Sequence, residues 1–291
     1  MWGVQQVAVK VANGGISPLL QAGLRSAGAA ILVFAWTWLR GVRLFERDGS
    51  LGLGLLIACL FSGEFALAYW GLDYTTASRG VLFFYTTPFF VALGAHFFIP
   101  QERLHRLKVI GLLAAFVGIA IAVADSLELP TSRELIGDGL LLGAAGLWGA
   151  TIVVIKGSRL AQVSPHKVLL YQLAGSAAGL LVASPLIGEP GITDPSWLVL
   201  SCLAYQTVLV AFASYLVWFW LIARYPASTI SAFAFLTPIF GMIAGAVLLG
   251  EHITSLLVAA MLLVAGGIYL VNRPPAAAPS RCARGIPRDR R

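Results

Sequence analysis

Long apolar runs, separated by short polar segments, fill most of this chain. A helix needs about 20 mostly apolar residues to cross the hydrocarbon core of a bilayer. Nine runs are predicted to be spans: 17–39, 51–72, 77–99, 107–124, 135–156, 165–187, 196–222, 227–249 and 253–271. Stretch 2–13 is shorter, but in lipid it must also be helical, because backbone outside a helix would stay unpaired. The pattern predicts an all-α integral membrane protein with ten transmembrane helices, the first abbreviated.

The landmarks of the first half return in the second half in the same order. The pairs are Trp2 and Trp148, Lys10 and Lys156, Pro18 and Pro165, Ala77-Ser78 and Ala227-Ser228, Pro88 and Pro238, Glu102 and Glu251, Gly111 and Ala260, and Gly118 and Gly267. We interpret this as an internal duplication. It predicts a first repeat at 1–124, an outer linker at 125–134, a second repeat at 135–271 and a basic cytoplasmic tail at 272–291.

Lysines and arginines predict the orientation. With the N-terminus inside, the inner loops hold Arg40, Arg43, Arg47, Arg103, Arg106, Lys108, Arg159, Lys167 and Arg224, and six further arginines follow residue 272. The outer loops hold Arg133 and the carboxylates Asp125, Glu128, Glu134, Asp138, Glu189, Asp194 and Glu251. This asymmetry obeys the positive-inside rule and places both termini in the cytoplasm. Five spans per repeat then make the repeats inverted, which favours alternating access around a central site.

Composition agrees with a membrane protein and argues against other classes. Apolar residues make up 58% of the chain and charged residues only 11%, whereas a soluble domain carries about a quarter charged residues. The net charge is +7. The basic residues are not interleaved with aromatic side chains, however, as a groove that binds nucleic acid would require. No phosphate-binding loop, metal-ligand spacing or nucleophile elbow is present. We therefore expect no enzyme, no metal and no cofactor.

Glu64 is the strongest candidate for chemistry, because it is the carboxylate placed deepest in a span. Charged groups inside a bilayer are costly, so each is a functional candidate. Glu64 could face the cavity, exchange protons or hold a substrate amine. Alternatively, it pairs with Arg25 or Arg79 and only locks helices together. Arg79 could attract a carboxylate at the cavity mouth or extend to the membrane interface.

Aromatic residues in mid-span are the second candidate signal. Rings beside glycine or proline can stack on a flat ligand, whereas Trp36, Trp38 and Trp197 fit an interfacial belt. The predicted substrate-binding residues are Glu64, Phe65, Tyr69, Arg79, Tyr85, Trp148 and Tyr215. The duplicated Lys10 and Lys156 are predicted to be structural. Glu102 and Glu251 are each expected to cap the helix that follows them.

The duplicated Trp-Gly…Lys…Pro, Ala-Ser…Pro and Glu…Gly patterns resemble the drug/metabolite transporter superfamily, specifically its EamA-type ten-span exporters. The resemblance runs from Trp2 to about Gly267. It implies a bacterial inner-membrane protein that exports small metabolites, often amino acids, and the aromatic amino-acid exporters are similar to it. Two features depart from the pattern: the first span is abbreviated, and Arg25 corresponds to Gln172.

Several alternatives stay open at this point. The exported molecule could be another metabolite or a drug. A lipid-modifying membrane enzyme would need clustered aspartates or histidines at the interface, and a channel would need a continuous polar lining. The expected partners are a small-molecule substrate and the lipid bilayer, with no nucleic acid, and the expected assembly is a monomer.

Overall fold

The computed structural model describes residues 2–42, 44, 46, 48–100, 102–124, 129–237, 240 and 255–273. Within these ranges the chain is helical and forms no strand, which confirms the all-α prediction. The α-helices are α1 (Trp2–Asn13), α2 (Pro18–Leu39), α3 (Leu51–Tyr74), α4 (Ala77–Phe84), α5 (Thr87–Phe98), α6 (Arg106–Val123), α7 (Ser132–Gly157), α8 (Pro165–Leu186), α9 (Trp197–Tyr205), α10 (Tyr215–Arg224), α11 (Ala227–Phe233) and α12 (Ser255–Val271).

Six helical segments of the described chain are long and apolar enough to cross a bilayer. They are Pro18–Leu39, Leu51–Tyr74, Arg79–Phe98, Ser132–Gly157, Pro165–Leu186 and Trp197–Arg224. Each corresponds to a run predicted from hydropathy. Most of the second part of the predicted span 227–249, with Pro238, lies outside the described residues, as do Glu251 and residues 274–291 of the tail.

The predicted fourth span is two helices rather than one. Helix α4 ends at Phe84, and α5 begins at Thr87 with Pro88 in its first turn. Proline lacks a backbone N–H and clashes with a preceding helical turn, so the helix cannot run through this point unbroken. The Thr86 and Thr87 hydroxyls donate to the Phe83 and Phe84 carbonyls, both at 2.7 Å, and pair two carbonyl groups at the break.

The predicted span 196–222 contains a π-helix that the sequence pattern does not reveal. Residues Gln206–Ser214 form nine residues of π-helix between α9 and α10. A π-helix is wider than an α-helix and is often found at functional sites. Here it turns Gln206 into the protein interior, where its side chain is fully buried.

Glycines allow the last helices of the two halves, α6 and α12, to pack closely. A Cβ atom placed on Gly111 would lie 2.6 Å from the carbonyl oxygen of Gly267, and one on Gly267 would lie 2.5 Å from the carbonyl oxygen of Gly111. Both distances are too short for any side chain. Small residues bring helices together in this way in membranes.

Two carboxylates each bind the start of a helix in the opposite half. Glu189 accepts hydrogen bonds from the amides of Leu19 and Leu20, at the start of α2, at 3.1 and 3.2 Å. Glu102 accepts from the amides of Ala227 and Ser228, at the start of α11, at 2.7 and 2.9 Å. The prediction that Glu102 caps the following helix is therefore wrong, because His105 is the N-cap of α6. Glu102 caps a helix, but one that is distant in sequence.

The duplicated lysines make corresponding contacts in the two halves. Lys10 Nζ donates to the carbonyl oxygen of Leu72 at 3.4 Å, near the end of α3. Lys156 Nζ donates to the carbonyl oxygen of Ile222 at 2.9 Å, near the end of α10. Both lysines thus tie the end of one helix to the last turns of another, which agrees with the structural role expected for them.

Candidate functional site

A small cavity of about 30 Å³ lies where helices of both halves meet. It is lined by Trp2, Gln5, Gln6, Phe61, Glu64, Phe65, Phe84, Tyr85, Trp148, Tyr215, Trp218 and Phe219. These residues come from α1, α3, the end of α4, α7 and α10. Nine of the twelve are aromatic, and Glu64 is the one ionisable carboxylate among them. The cavity thus offers broad apolar surfaces around a single acidic group.

The rings of the cavity support one another through direct contacts. The Trp2 ring lies 4.8 Å from that of Trp218 and 6.1 Å from that of Tyr215, measured between centroids. Trp148 stacks on Phe84 at 5.2 Å with the ring planes 19° apart. Aromatic pairs of this kind stabilise each other by about 0.5–1.5 kcal/mol beyond the area they bury. These ring-to-ring contacts hold the cavity wall together without a bound ligand.

Glu64 lies in the middle of α3 with 2% of its surface exposed. Its Oε2 atom has no hydrogen-bond partner among the described residues. Within the same residues, no lysine, arginine or histidine approaches the carboxylate to within ion-pair distance. A buried carboxylate without a partner is costly unless it is protonated or binds a ligand. Arg25 acts on this carboxylate electrostatically from beyond ion-pair distance, and Oε2 can accept a hydrogen bond from a donor that enters the cavity.

Arg25 of α2 is completely buried and packs on two rings that also line the cavity. Its Cζ atom lies 3.9 Å from the ring centroid of Phe65 and 5.5 Å from that of Tyr215. Its Nη1 atom donates a long hydrogen bond of 3.4 Å to the hydroxyl of Tyr69. The Nε and Nη2 atoms have no hydrogen-bond partner in the described part of the chain.

Tyr69 connects this arginine to the π-helix and to α1. Its hydroxyl donates to Gln206 Oε1 at 2.7 Å, and Gln206 Nε2 donates to the carbonyl oxygen of Ala8 at 3.2 Å. Tyr69 is therefore held one helical turn from the cavity-lining Phe65 and does not itself line the cavity. Arg25, Tyr69 and Gln206 form a buried polar chain that joins the two halves.

Arg79 lies away from the cavity and binds Asp138 of α7. Its Nε atom donates to both Asp138 carboxylate oxygens at 3.2 Å, and its Nη2 atom donates to Oδ2. The Thr75 hydroxyl also donates to Asp138 at 3.0 Å. Asp138 was predicted to lie in an outer loop, but it is buried in the second turn of α7. The proposed pairing of Glu64 with Arg79 does not occur.

The structure brings together five of the seven predicted site residues: Glu64, Phe65, Tyr85, Trp148 and Tyr215 line the cavity. Sequence reasoning did not select Trp2, although its position corresponds to that of Trp148 in the repeat, which was the signal available. Phe61 was also missed, and it lies one helical turn before Phe65, with the two ring centroids 4.6 Å apart. No simple pattern pointed to Gln5 and Gln6.

A second, larger hollow of about 640 Å³ runs along the flank between α3 and α8. Of its three charged side chains, Lys167 and Asp48 bind each other, since Lys167 Nζ donates to Asp48 Oδ2 at 2.9 Å. Hydrogen bonds from Ser50 and from Lys167 hold the pKa of the Asp48 carboxyl far below its usual value. The remainder of the wall is largely aliphatic and glycine-rich. The wall of this hollow thus differs from that of the cavity, where nine aromatic side chains meet.

No group of three or more histidine, cysteine, aspartate or glutamate side chains placed to hold a metal ion occurs among the described residues. Among the cavity-lining residues and Arg25, the buried polar atoms without a hydrogen-bond partner in the same ranges are Glu64 Oε2, Arg25 Nε and Nη2, and Trp218 Nε1. A carboxylate can bind an ammonium group, and a guanidinium can bind a carboxylate.

The sequence profile of the EamA-like transporter family matches residues 1–124 and 135–273. This chain belongs to that family. The resemblance to EamA-type exporters is thereby confirmed. Its relatives include a probable amino-acid metabolite efflux pump of Salmonella typhimurium, 28% identical, with 93% of this chain and 90% of the relative covered.

A further relative is the inner membrane transporter YedA of Escherichia coli, 25% identical, with 96% of this chain and 92% of the relative covered. A solved crystal structure has the same fold with a TM-score of 0.76 and 19% sequence identity, covering 93% of this chain and 92% of the other. The chain is thus a transporter-family membrane protein that extends over nearly the full length of these relatives.

Proposed function

We propose that this protein is a secondary transporter of the bacterial inner membrane that exports small metabolites. Amino acids are the first candidate substrates, with a preference for aromatic or hydrophobic side chains. In this proposal, ten spans form two inverted five-helix repeats, both termini are cytoplasmic, and the cavity opens alternately to either side. The name of the Salmonella relative, an amino-acid metabolite efflux pump, supports this substrate class.

The observation that carries the proposal is the composition of the cavity wall. Aromatic rings provide large apolar contact areas without introducing further charge. The carboxylate of Glu64 can bind an ammonium group, and neighbouring ring faces attract the same cation. The substrate side chain would then lie among the rings of Phe84, Trp148 and Trp218. These contacts fit the amine and side chain of an aromatic amino acid.

The contribution of both halves to the wall supports alternating access. Trp2 and Phe61 come from the first half, and Trp148 and Tyr215 come from the second. A rotation of one half against the other would therefore change the access to the site without displacing every contact. The helix break before Pro88 and the π-helix at Gln206–Ser214 are positions where such a motion could be absorbed.

A second candidate is an exporter of aromatic or hydrophobic amines, including drug-like cations. The observation in its favour is that the described residues of the cavity wall include a carboxylate but no lysine or arginine. Such a wall recognises an ammonium group without requiring a carboxylate on the same ligand. The two candidates differ in whether the substrate carries a carboxylate in addition to its ammonium group.

Proteoliposomes that contain the purified full-length protein test both candidates. Vesicles are loaded with labelled phenylalanine, leucine, aspartate or phenethylamine, and efflux is followed with and without a pH gradient. We expect phenylalanine and leucine to leave faster than aspartate, and faster than from protein-free vesicles. Efflux of phenethylamine alone would favour the amine exporter. Efflux of none of these compounds would contradict both candidates.

A further inference from the structure

The most informative group outside the cavity wall is the guanidinium of Arg25. It is fully buried, and no carboxylate among the described residues lies within ion-pair distance of it. An arginine inside a membrane protein is costly and is normally paired or functional. The Phe65 ring and the Tyr69 hydroxyl compensate part of this cost. They leave two nitrogen atoms, Nε and Nη2, without a hydrogen-bond acceptor among the described residues.

The two unpaired donors lie on one edge of the guanidinium. Nε and Nη2 point in parallel along this edge and match the two oxygens of a carboxylate. Arg79 in the same chain shows this arrangement, because its Nε and Nη2 atoms both donate to the carboxylate of Asp138. Arg25 therefore presents the same binding edge as Arg79, but without a carboxylate in place.

Arg25 is also next to the cavity. Two rings of the cavity wall, Phe65 and Tyr215, lie against its guanidinium at 3.9 and 5.5 Å. Glu64 and Phe65 both line the cavity, so the unpaired carboxylate and the ring that packs on the guanidinium border the same space.

We propose that Arg25 is the carboxylate-binding residue of the transport site, and that the site recognises zwitterionic α-amino acids at two points. Glu64 binds the α-ammonium group, and the Nε and Nη2 edge of Arg25 binds the α-carboxylate once the Phe65 or Tyr215 ring has moved aside. This inference rests on the proposed export of amino acids and adds the group that distinguishes an amino acid from an amine. The rings of the wall then act as a cover over Arg25 when no substrate is bound.

Three related ligands separate the two contacts. Phenylalanine carries both charged groups, phenethylamine lacks the carboxylate, and 3-phenylpropionate lacks the amine. None contains an indole, so binding to the purified full-length protein can be followed by the fluorescence of the cavity tryptophans. Wild-type protein is compared with Arg25→Gln, Arg25→Lys and Glu64→Gln. Gln172→Met is the control, because Gln172 is a fully buried polar residue at the corresponding position of the other half.

The expected pattern differs for each ligand. Loss of hydrogen bonds to a charged group weakens binding roughly 10- to 100-fold. Arg25→Gln should therefore weaken phenylalanine and 3-phenylpropionate by that factor and leave phenethylamine within about twofold. Arg25→Lys should also weaken phenylalanine, because an ammonium retains the charge but loses the two-point edge. Glu64→Gln should weaken phenylalanine and phenethylamine and spare 3-phenylpropionate. The control should bind all three as the wild type does.

Equal weakening of phenylalanine and phenethylamine by Arg25→Gln and Arg25→Lys would overturn the inference and leave Arg25 as a packing residue. Unchanged binding in both variants would overturn it as well. If Arg25→Gln does not fold, the Arg25→Lys variant decides by the same comparison. A failure of the proposed function would look different: wild-type protein would bind phenethylamine or 3-phenylpropionate but would transport no amino acid.

Discussion

Trp2 and Trp148, which occupy corresponding positions of the two halves, lie ring to ring in the cavity with their centroids 5.8 Å apart. The contact is edge-on, with the ring planes at 66°. The Trp2 indole also donates to the Ser214 hydroxyl at 2.7 Å, and Ser214 stands at the position that corresponds to Glu64. The two corresponding tryptophans therefore meet in the cavity. At the other pair of corresponding positions, only the first half has a carboxylate, that of Glu64.

The cavity rings should be required for transport but not for folding. Trp148→Ala and Tyr85→Ala remove contact area from the wall, and loss of one aromatic contact should raise the KM for phenylalanine efflux roughly two- to ten-fold. Efflux kinetics in proteoliposomes measure this change. Trp197→Ala is the matched control, because its ring is 84% exposed. Unchanged efflux in both cavity variants, with intact protein in the membrane, would show that these rings do not contact the substrate and serve only in packing.

Glu64 should act on substrate affinity more than on coupling to protons. Glu64→Gln keeps the size of the side chain but cannot bind an ammonium group as a carboxylate does, so phenylalanine efflux should lose apparent affinity roughly 10-fold or more. Efflux is measured at several substrate concentrations with and without a pH gradient. If the variant instead keeps its affinity and loses only its response to the gradient, Glu64 is a proton carrier and the binding role is wrong.

The pair of Arg79 and Asp138 should stabilise the fold without setting the substrate. Asp138→Asn leaves a buried guanidinium without its counter-charge, which should cost about 3–5 kcal/mol of stability. Thermal unfolding in detergent measures this loss. The double variant Arg79→Met, Asp138→Leu removes both charges and should recover much of it. A selective loss of phenylalanine efflux at unchanged stability would restore the prediction that Arg79 binds substrate.

The crossing of α6 and α12 should tolerate no side chain at Gly111. A Cβ atom there would lie 2.6 Å from the Gly267 carbonyl oxygen, so Gly111→Ala should force the helices apart and cost about 1–3 kcal/mol. Gly139→Ala is the control, because nothing lies within 4 Å of the Cβ position there. Thermal unfolding of the two variants compares them. Equal stability would show that the two helices are separated in the membrane.

The proposed orientation predicts which segments of the chain are accessible from outside the cell. In intact cells, a membrane-impermeant thiol reagent should label a cysteine placed at Ser132 and should not label one placed at Ser280. Both variants are made in a background in which the three natural cysteines are replaced by serine. Labelling at Ser280 without permeabilisation would contradict the topology, and labelling at both positions after permeabilisation is the control.

Helix positions could be predicted well from the sequence, because the length of an apolar run is fixed by the bilayer. The runs 51–72 and 165–187 appear as α3 and α8 with nearly the same bounds. The aromatic lining could be predicted in part, since rings beside helix-breaking residues stand out in a hydropathy pattern. Trp2 could have been added from its correspondence with Trp148.

Contacts between distant segments could not be predicted. Glu102 precedes α6 but caps α11, and local sequence carries no signal for a partner so far along the chain. The direction of the Tyr69 side chain depends on the π-helix that places Gln206, and hydropathy cannot distinguish a π-helix from an α-helix. The binding edge of Arg25 appears only when its contacts with Phe65 and Tyr69 are known.

A structure of the full-length protein determined with bound phenylalanine tests the central claim most directly. We predict density for the ligand in the cavity between the two halves, with its ring beside Trp148 and Phe84 and its ammonium group at Glu64. Density for phenylalanine in the flank between α3 and α8, or an empty central cavity at saturating ligand, would contradict the account.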